Sequence, residues 1–140
     1  MNDVVVYEEI GAGSRPVTAD QLSGFFEGWP LPPAASALLA VLEGSHCSFL
    51  ARTDDGRVIG IVSAISDGIL SAYIPLLEVL PGFRGRGIGS RLTSLMLARL
   101  EGLYMVDLSC DEGLVPFYRR FGMEEIRGMG VRDPNAIPQI

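Results

Sequence analysis

The run V-L-P-G-F-R-G-R-G-I-G-S-R-L, Val79 to Leu92, crowds glycine and arginine into a turn ahead of an apolar helical pattern. Between Val79 and Leu100 stand Arg84, Arg86, Arg91 and Arg99 and no acid, in a chain whose net charge is −6. A helix opening near Gly87 aims its free N–H groups back at the turn and adds about half a positive charge there. Glycines at 85, 87 and 89 let the main chain approach a ligand closely and take positive φ at little cost. The chemistry this combination suits is capture of an anion, above all a diphosphate, on main-chain amides. A plain Pro81-Gly82 turn with a solvated arginine face requires neither the further glycines nor the charge cluster.

Several chemistries are excluded by composition. All 11 basic residues are arginine, so there is no Schiff-base lysine and no lysine-dependent phosphate loop. The spacing Gly85-x-Gly87-x-Gly89-Ser90 only approximates a dinucleotide fingerprint, and twenty residues beyond Gly89 stand Ser109 and Cys110 where that fold wants an acid. An ADP-ribose or NAD binder is therefore the weakest diphosphate reading. A single histidine, His46, beside Cys47 argues against a metal site, and none is expected. Cys47 and Cys110 sit in apolar strand-like runs and read as buried, reduced thiols. The acidic balance, pI about 4.7, disfavours nucleic acid and membrane surfaces as partners. The start M-N-D-V-V-V-Y-E-E-I lacks the pattern of a secretory signal, and no apolar run reaches a membrane span, so a cytoplasmic location is the expectation.

The elements that must position the glycine turn follow from periodicity. Val4–Ile10 reads as a strand, and Thr18-Ala-Asp-Gln21 as a capping box opening a short helix with Leu22, Phe25 and Phe26 on one face. After the breaker W-P-L-P-P, Ala34–Leu42 reads as a second helix. H-C-S-F-L-A-R-T and R-V-I-G-I-V-S-A-I-S are strands joined at Asp54-Asp55-Gly56, and a turn at Ser66-Asp67-Gly68 leads into a third strand ending near Val79. A long helix then carries Ile88, Leu92, Leu95, Met96 and Leu100 at core spacings. Y-M-V-D-L-S-C is a further strand. V-P-F-Y-R-R-F-G is a helix with Pro116 in its first turn and Gly122 past its end. The tail leaves room for one or two short strands before Pro134. The order β-α-α-β-β-β-α-β-α-β specifies an α/β domain on a hairpin-rich sheet.

At this point V-x-P-x-x-R-G-x-G-I-G-S, Val79 to Ser90, resembles the acetyl-CoA motif of the GNAT N-acetyltransferase family, with Arg84, Gly87 and Gly89 in the three characteristic places. P-F-Y-R-R-F-G-M, Pro116 to Met123, resembles the family's later helix, with its tyrosine at Tyr118. The likeness covers Arg52 to Met123 well, and the first fifty residues only as two helices after a strand. It implies the GNAT acyl-CoA N-acyltransferase fold: a mixed central sheet, mostly antiparallel with a splayed parallel pair, flanked by about four helices. It implies one N-acetyltransferase domain over 1–140, with acceptor-side helices at about 18–43 and an acetyl-CoA-binding core at about 46–123.

Site roles follow from the same resemblance. Main-chain amides from Arg84 through Gly85, Arg86, Gly87, Ile88 and Gly89 to Ser90 would hold the CoA pyrophosphate. The strand edge at Leu77 and Val79 would pair with the pantetheine arm. Tyr118, beside a core face of Leu114, Phe117 and Phe121, is the candidate acid for the departing thiolate. Glu78, the one carboxylate in Y-I-P-L-L-E-V-L at the expected splay, is the candidate base, directly or through water. Asp67 reads as a turn residue. Asp111 stands where many relatives carry a cofactor-contacting asparagine, and an acid there would accept a hydrogen bond but repel phosphate. Leu114 replaces a common alanine. The tail is short for the family's terminal hairpin, which leaves a second copy of the chain to complete the sheet. The implied activity is acetyl transfer from acetyl-CoA to a small-molecule or peptide primary amine, without a metal. The competing reading is an acyl-CoA-binding sensor or structural module without turnover.

Overall fold

In the computed structural model, which describes residues 4–11 and 13–139, five strands form one sheet in the order β1-β2-β3-β4-β5. They are β1 (Val5–Glu9), β2 (Cys47–Thr53), β3 (Val58–Ser66), β4 (Ser71–Val79) and β5 (Met105–Asp107). Neighbours run antiparallel except for β4 and β5, which are parallel. The helices are α1 (Ala35–Gly44), α2 (Ile88–Arg99) and α3 (Val115–Arg119).

Strands β2 and β3 are buried along nearly their whole length, as continuous apolar runs must be when both faces of a sheet are covered. On one face lies α2: a Cβ built at Gly60 would meet Leu92 and Ile88 at 3.0 and 3.1 Å, so the missing side chain seats that helix. Ile88, Leu92, Met96 and Leu100 are buried against the sheet, as their spacing requires, and Leu95 is partly buried. On the other face the Ser48 hydroxyl donates to the Leu42 carbonyl at 2.9 Å and fixes α1.

The expected first helix is not one. Gln21 accepts the Thr18 N–H at 3.0 Å as the capping box requires, but only a single 3-10 turn, Ala19–Leu22, follows. Left-handed backbone at Gly24 (φ 94°) and Phe26 (φ 65°) ends it, while Leu22, Phe25 and Phe26 are still buried. The sheet is therefore flanked by three α-helices among the described residues, not about four. The strand expected over Tyr104–Cys110 contracts to three residues, because β5 pairs only with the start of β4. Cys47 is buried as expected, whereas Cys110, past the end of β5, is exposed; both thiols are free. No strand forms in the tail among the described residues; a 3-10 turn at Pro134–Ala136 is its one regular piece. Residues 1–3, the start of the segment without a secretory-signal pattern, lie outside the described residues, and no described helix is long and apolar enough to cross a membrane.

Arg52 holds the N-terminal loop to the sheet. Its side chain is only 2% exposed, and it donates to the Gly56 carbonyl (3.2 Å), the Pro16 carbonyl (3.1 Å) and Gln21 Oε1 (2.9 Å). Removing the guanidinium leaves these partly buried acceptors without their donor. Arg52→Met is expected to lower unfolding free energy by about 3 kcal/mol, read as a shift of the urea midpoint; a loss under about 1 kcal/mol would show that water replaces the donor.

Candidate active site

The site begins with a bulge. Ser63 pairs with Leu76 and Ile65 with Tyr73, so β4 holds one residue more than β3 across this stretch. Pro75 lies inside the irregularity, where a missing N–H removes no regular ladder bond. Beyond Tyr73↔Asp107, β5 has no further pairing with β4. The parallel strands part there, and a gap opens along the outer edge of β4. The Tyr73 hydroxyl bonds Ser109 Oγ across the fork at 2.9 Å.

Main-chain direction along that edge follows from one bond. Leu80 N–H donates to the Ile59 carbonyl at 2.9 Å, so its peptide groups point toward β3. Strand alternation turns those of Leu77 and Val79 the other way, into the gap. Arg84 Nε takes the Val79 carbonyl from this side at 2.9 Å, leaving Leu77 as the unclaimed rung. Their side chains lie on the α2 face of the sheet, since Val79 is opposite Gly60 and Leu77 opposite Val62. Glu78 faces the α1 side.

Past β4 the chain makes a 3-10 turn, Pro81–Phe83, and reaches α2 through Gly85 (φ 78°) and Gly87 (φ 80°). Both are left-handed, and a Cβ at either would meet nothing within 4 Å, so the concave side of the turn is open. The helical ladder starts with Arg91 N–H on the Gly87 carbonyl at 3.0 Å, so the amides of Ile88, Gly89 and Ser90 stand ahead of it. The Arg84 amide closes instead on Pro81 O at 3.5 Å, so the fan of donors effectively begins at Gly85. A Cβ at Gly89 would sit 3.7 Å from Val79 and 3.9 Å from Phe117, within the narrow strip between α2, β4 and α3. Such a cradle fits a diphosphate group.

The four arginines of this segment divide their work. Arg84 clips the β4 edge and pairs with Glu27 at 2.8 Å, and Arg86 lies over the Phe83 ring. Arg91 lies over Tyr7, and Arg99 bonds Glu9 at 3.1 Å, so these two tie α2 to β1. The positive charge they withdraw is replaced from α3. Arg120 bonds Ser90 Oγ at 3.1 Å, its guanidinium held over Phe117 and Phe121. Sequence reasoning missed Arg120, although the Arg119-Arg120 doublet directly after Tyr118 was the available signal.

Tyr118 is half-buried and packs edge-on against Phe117, ring centroids 4.9 Å apart. Burial, reinforced by nearby Cys110, pushes its hydroxyl up to about 12. Leu114, expected on the same core face, is exposed. Glu78 has a defined partner: its carboxylate accepts the Phe26 N–H at 2.9 and 3.0 Å and the Glu27 N–H at 3.3 Å. It thereby holds the left-handed Phe26, a backbone state uncommon outside glycine. Nothing local in S-G-F-F-E-G-W announces that clasp. Phe26 packs at a tilt of 57° against half-exposed Trp29, ring centroids 5.0 Å apart, and a cleft of about 270 Å³ lies between Phe25 and Phe26 and the Pro32, Pro33 and Leu38 side. Asp111 is exposed and precedes the 3-10 turn Glu112–Leu114 ahead of α3, its main-chain carbonyl accepting the Leu114 N–H at 2.9 Å. Asp67 accepts the amides of Ile69, Leu70 and Ser71, which hold its carboxyl below the ordinary range; it is a turn residue, as read.

A splayed parallel pair, a glycine-lined amide fan at the head of the following helix and a tyrosine-bearing short helix beside it are brought together at one end of the sheet. The chain matches the acetyltransferase (GNAT) family over residues 15–123, and it belongs to that family. A solved structure of an acetyltransferase-assigned protein from Deinococcus radiodurans is 48% identical, covers 97% of this chain and 93% of its own, and superposes with a TM-score of 0.90. A GNAT-family acetyltransferase from Streptococcus pneumoniae is 26% identical over 94% of this chain and 99% of its own, TM-score 0.73. A histone acetyltransferase from Glycine max is 32% identical over 73% of this chain and 51% of its own length. The chain thus spans about half the length of the curated relatives it matches.

The raised Tyr118 hydroxyl has a consequence for stability. Between the ordinary value of 10 and about 12, the unfolded chain gives up this proton while the folded chain keeps it. Folded-state stability therefore falls as pH rises through that window. Tyr118→Phe is expected to reduce that slope in urea titrations at pH 10 to 12; an unchanged slope would mean the hydroxyl is solvated.

Proposed function

We propose that this chain transfers an acetyl group from acetyl-CoA to a primary amine, the amine attacking directly within a ternary complex. The observation that carries the reading is the fork: a β4 edge with the Leu77 peptide turned into the gap, leading straight into an amide fan. The amides of Gly85 to Ser90 would hold the diphosphate, with Arg120 adding charge from α3. Leu77 would pair with the pantetheine arm as a strand edge pairs with an extended peptide. Acetyl-CoA, when bound, supplies an activated acyl carbon and a thiolate leaving group. Tyr118, still protonated at neutral pH, donates its proton to the departing sulfur. Glu78 uses about three of its roughly four acceptor sites on the Phe26 and Glu27 amides, which leaves one for a water that relays the proton of the amine. The acceptor enters from the Phe26–Trp29 side. The class we infer is a small-molecule or peptide primary amine, with no part for nucleic acid or membrane. Two free thiols suit a cytoplasmic setting.

The same clasp favours a second reading, an acyl-CoA-binding module without turnover. A carboxylate committed to two amides has a sufficient structural purpose. Thiol release with a panel of amines, alongside calorimetry with acetyl-CoA and CoA, separates the two. Acetyl transfer predicts amine-dependent release, a fall in kcat of about 10²-fold in Tyr118→Phe, and little change in acetyl-CoA affinity. Binding without release across the panel supports the module, and an absence of heat with both ligands removes both readings. Glu78→Gln is expected to lower kcat by about tenfold or more if the relay operates; a raised amine KM with an unchanged kcat would assign Glu78 to loop positioning alone.

A further inference from the structure

Between the 3-10 turn at Ala19–Leu22 and α1 the chain folds back on itself and leaves the cleft of about 270 Å³. One wall is Phe25 and Phe26; the other is Pro32 and Pro33 with Ala35 and Leu38 of α1. Among the described residues, none that lines it is charged. The loop has a fixed shape. Gly24 (φ 94°), Phe26 (φ 65°) and Gly28 (φ 83°) are left-handed, and Pro30, Pro32 and Pro33 follow directly. The cost of ordering this stretch therefore falls on folding rather than on ligand capture. The link between the two walls carries Trp29 and Leu31, 48% and 50% exposed.

We propose that this cleft seats the apolar arm of the acceptor, which makes the acceptor a primary amine with one compact apolar group, aromatic or branched, on a short link. The inference rests on the acyl-transfer reading for the reaction and not for the binding. Phe26 joins cleft and carboxylate: its side chain lines the cleft while Glu78 accepts its N–H at 2.9 Å. An arm lying against that ring needs only a short link to place its nitrogen beside Glu78. The reverse orientation is disfavoured. Ala35 opens α1, and the positive end of that helix repels an ammonium from its wall of the cleft. The faces of Phe26 and Trp29, tilted by 57°, attract one instead. Size sets the rest. Drug-sized ligands fill clefts of about 300–1,000 Å³, and one of about 270 Å³ takes a single ring or a branched chain. A polyamine or an amino sugar would bury charges or hydroxyls against walls that offer few partners.

Trp29 is the single tryptophan of the chain, so its emission reports occupancy of the neighbouring cleft without turnover. Titrating the full chain with phenethylamine or isopentylamine, CoA present, is expected to shift that emission saturably. Spermidine, glucosamine and N-acetyl-lysine amide are expected to bind at least about tenfold more weakly. Ala35→Phe fills the cleft from the first position of α1 and should weaken the apolar amines by about tenfold or more, with an unchanged circular dichroism spectrum. Val41→Ala, an exposed position on α1, should leave them unaffected. The panel on the unmodified chain stands without any variant, so misfolding of Ala35→Phe does not remove the test. Saturable binding that prefers the apolar amines supports the proposal even where no thiol is released, in which case only acetyl transfer is lost. No emission change with the apolar amines, equal affinity across the panel, thiol release with the comparison amines alone, or binding indifferent to a folded Ala35→Phe each overturns it.

Discussion

Peptide groups that lose their ladder must find other partners, and that requirement organises this molecule. β4 is paired along its inner edge by β3, but its outer edge is covered by β5 for only three residues. From Ile74 onward the outward N–H and C=O groups are left facing a gap without a strand partner. The protein meets part of that need internally, with Arg84 on the Val79 carbonyl. The remainder stays without a strand partner along the gap. The bulge at Pro75 and the short β5 are thus the cause of the site, and the amide fan after Val79 is its continuation by the same means, main-chain donors without protein acceptors.

The electrostatics show how an acidic chain keeps a positive mouth. Glycines bring the amides forward, but the arginines around them are mostly employed in holding the scaffold: Arg91 and Arg99 fasten α2 to β1, and Arg84 bridges an edge carbonyl and a glutamate. These contacts are partly exposed and individually weak. The charge available at the helix mouth comes from the helix terminus itself and from Arg120, stacked on two rings that limit its freedom. Positive potential there is a property of placement more than of the count of arginines in the segment.

How much of this was legible in the sequence depended on how local each signal is. The glycine turn, α2 and the β2–β3 hairpin were readable because their determinants lie within a dozen residues: glycines where φ is positive, a 3.6-residue apolar spacing, Asp55-Gly56 at a turn. The Thr18 capping box also formed, yet the helix it announced stopped after one turn. Burial of Phe25 and Phe26 against the sheet outweighed helix propagation, and the left-handed Phe26 is stabilised by a carboxylate 52 residues away. No local rule could supply that partner. β5 was over-read for the converse reason: Tyr104–Cys110 is strand-like in composition, but a strand extends only as far as its neighbour runs beside it. Arg120 was missed because its importance arises from α3 packing against Ser90, a tertiary fact.

Glu78 deserves weighing in that light, because it joins the two halves of the site. Its neighbours Leu77 and Val79 direct their peptide groups into the gap, while its own side chain crosses to the opposite face and grips the loop that carries Phe26 and Trp29. Glu27, whose amide completes that grip, sends its carboxylate back to Arg84 at the outer edge of β4. A short circuit of contacts, from Val79 through Arg84 and Glu27 to Glu78, therefore returns to the strand on which it began. Any movement of Arg84 away from the Val79 carbonyl also loads the Glu27 contact, and with it the Phe26–Trp29 loop. The position of the Phe26–Trp29 loop is in this way set from the same three residues of β4 that turn its outer edge into the gap, so register along that strand governs both.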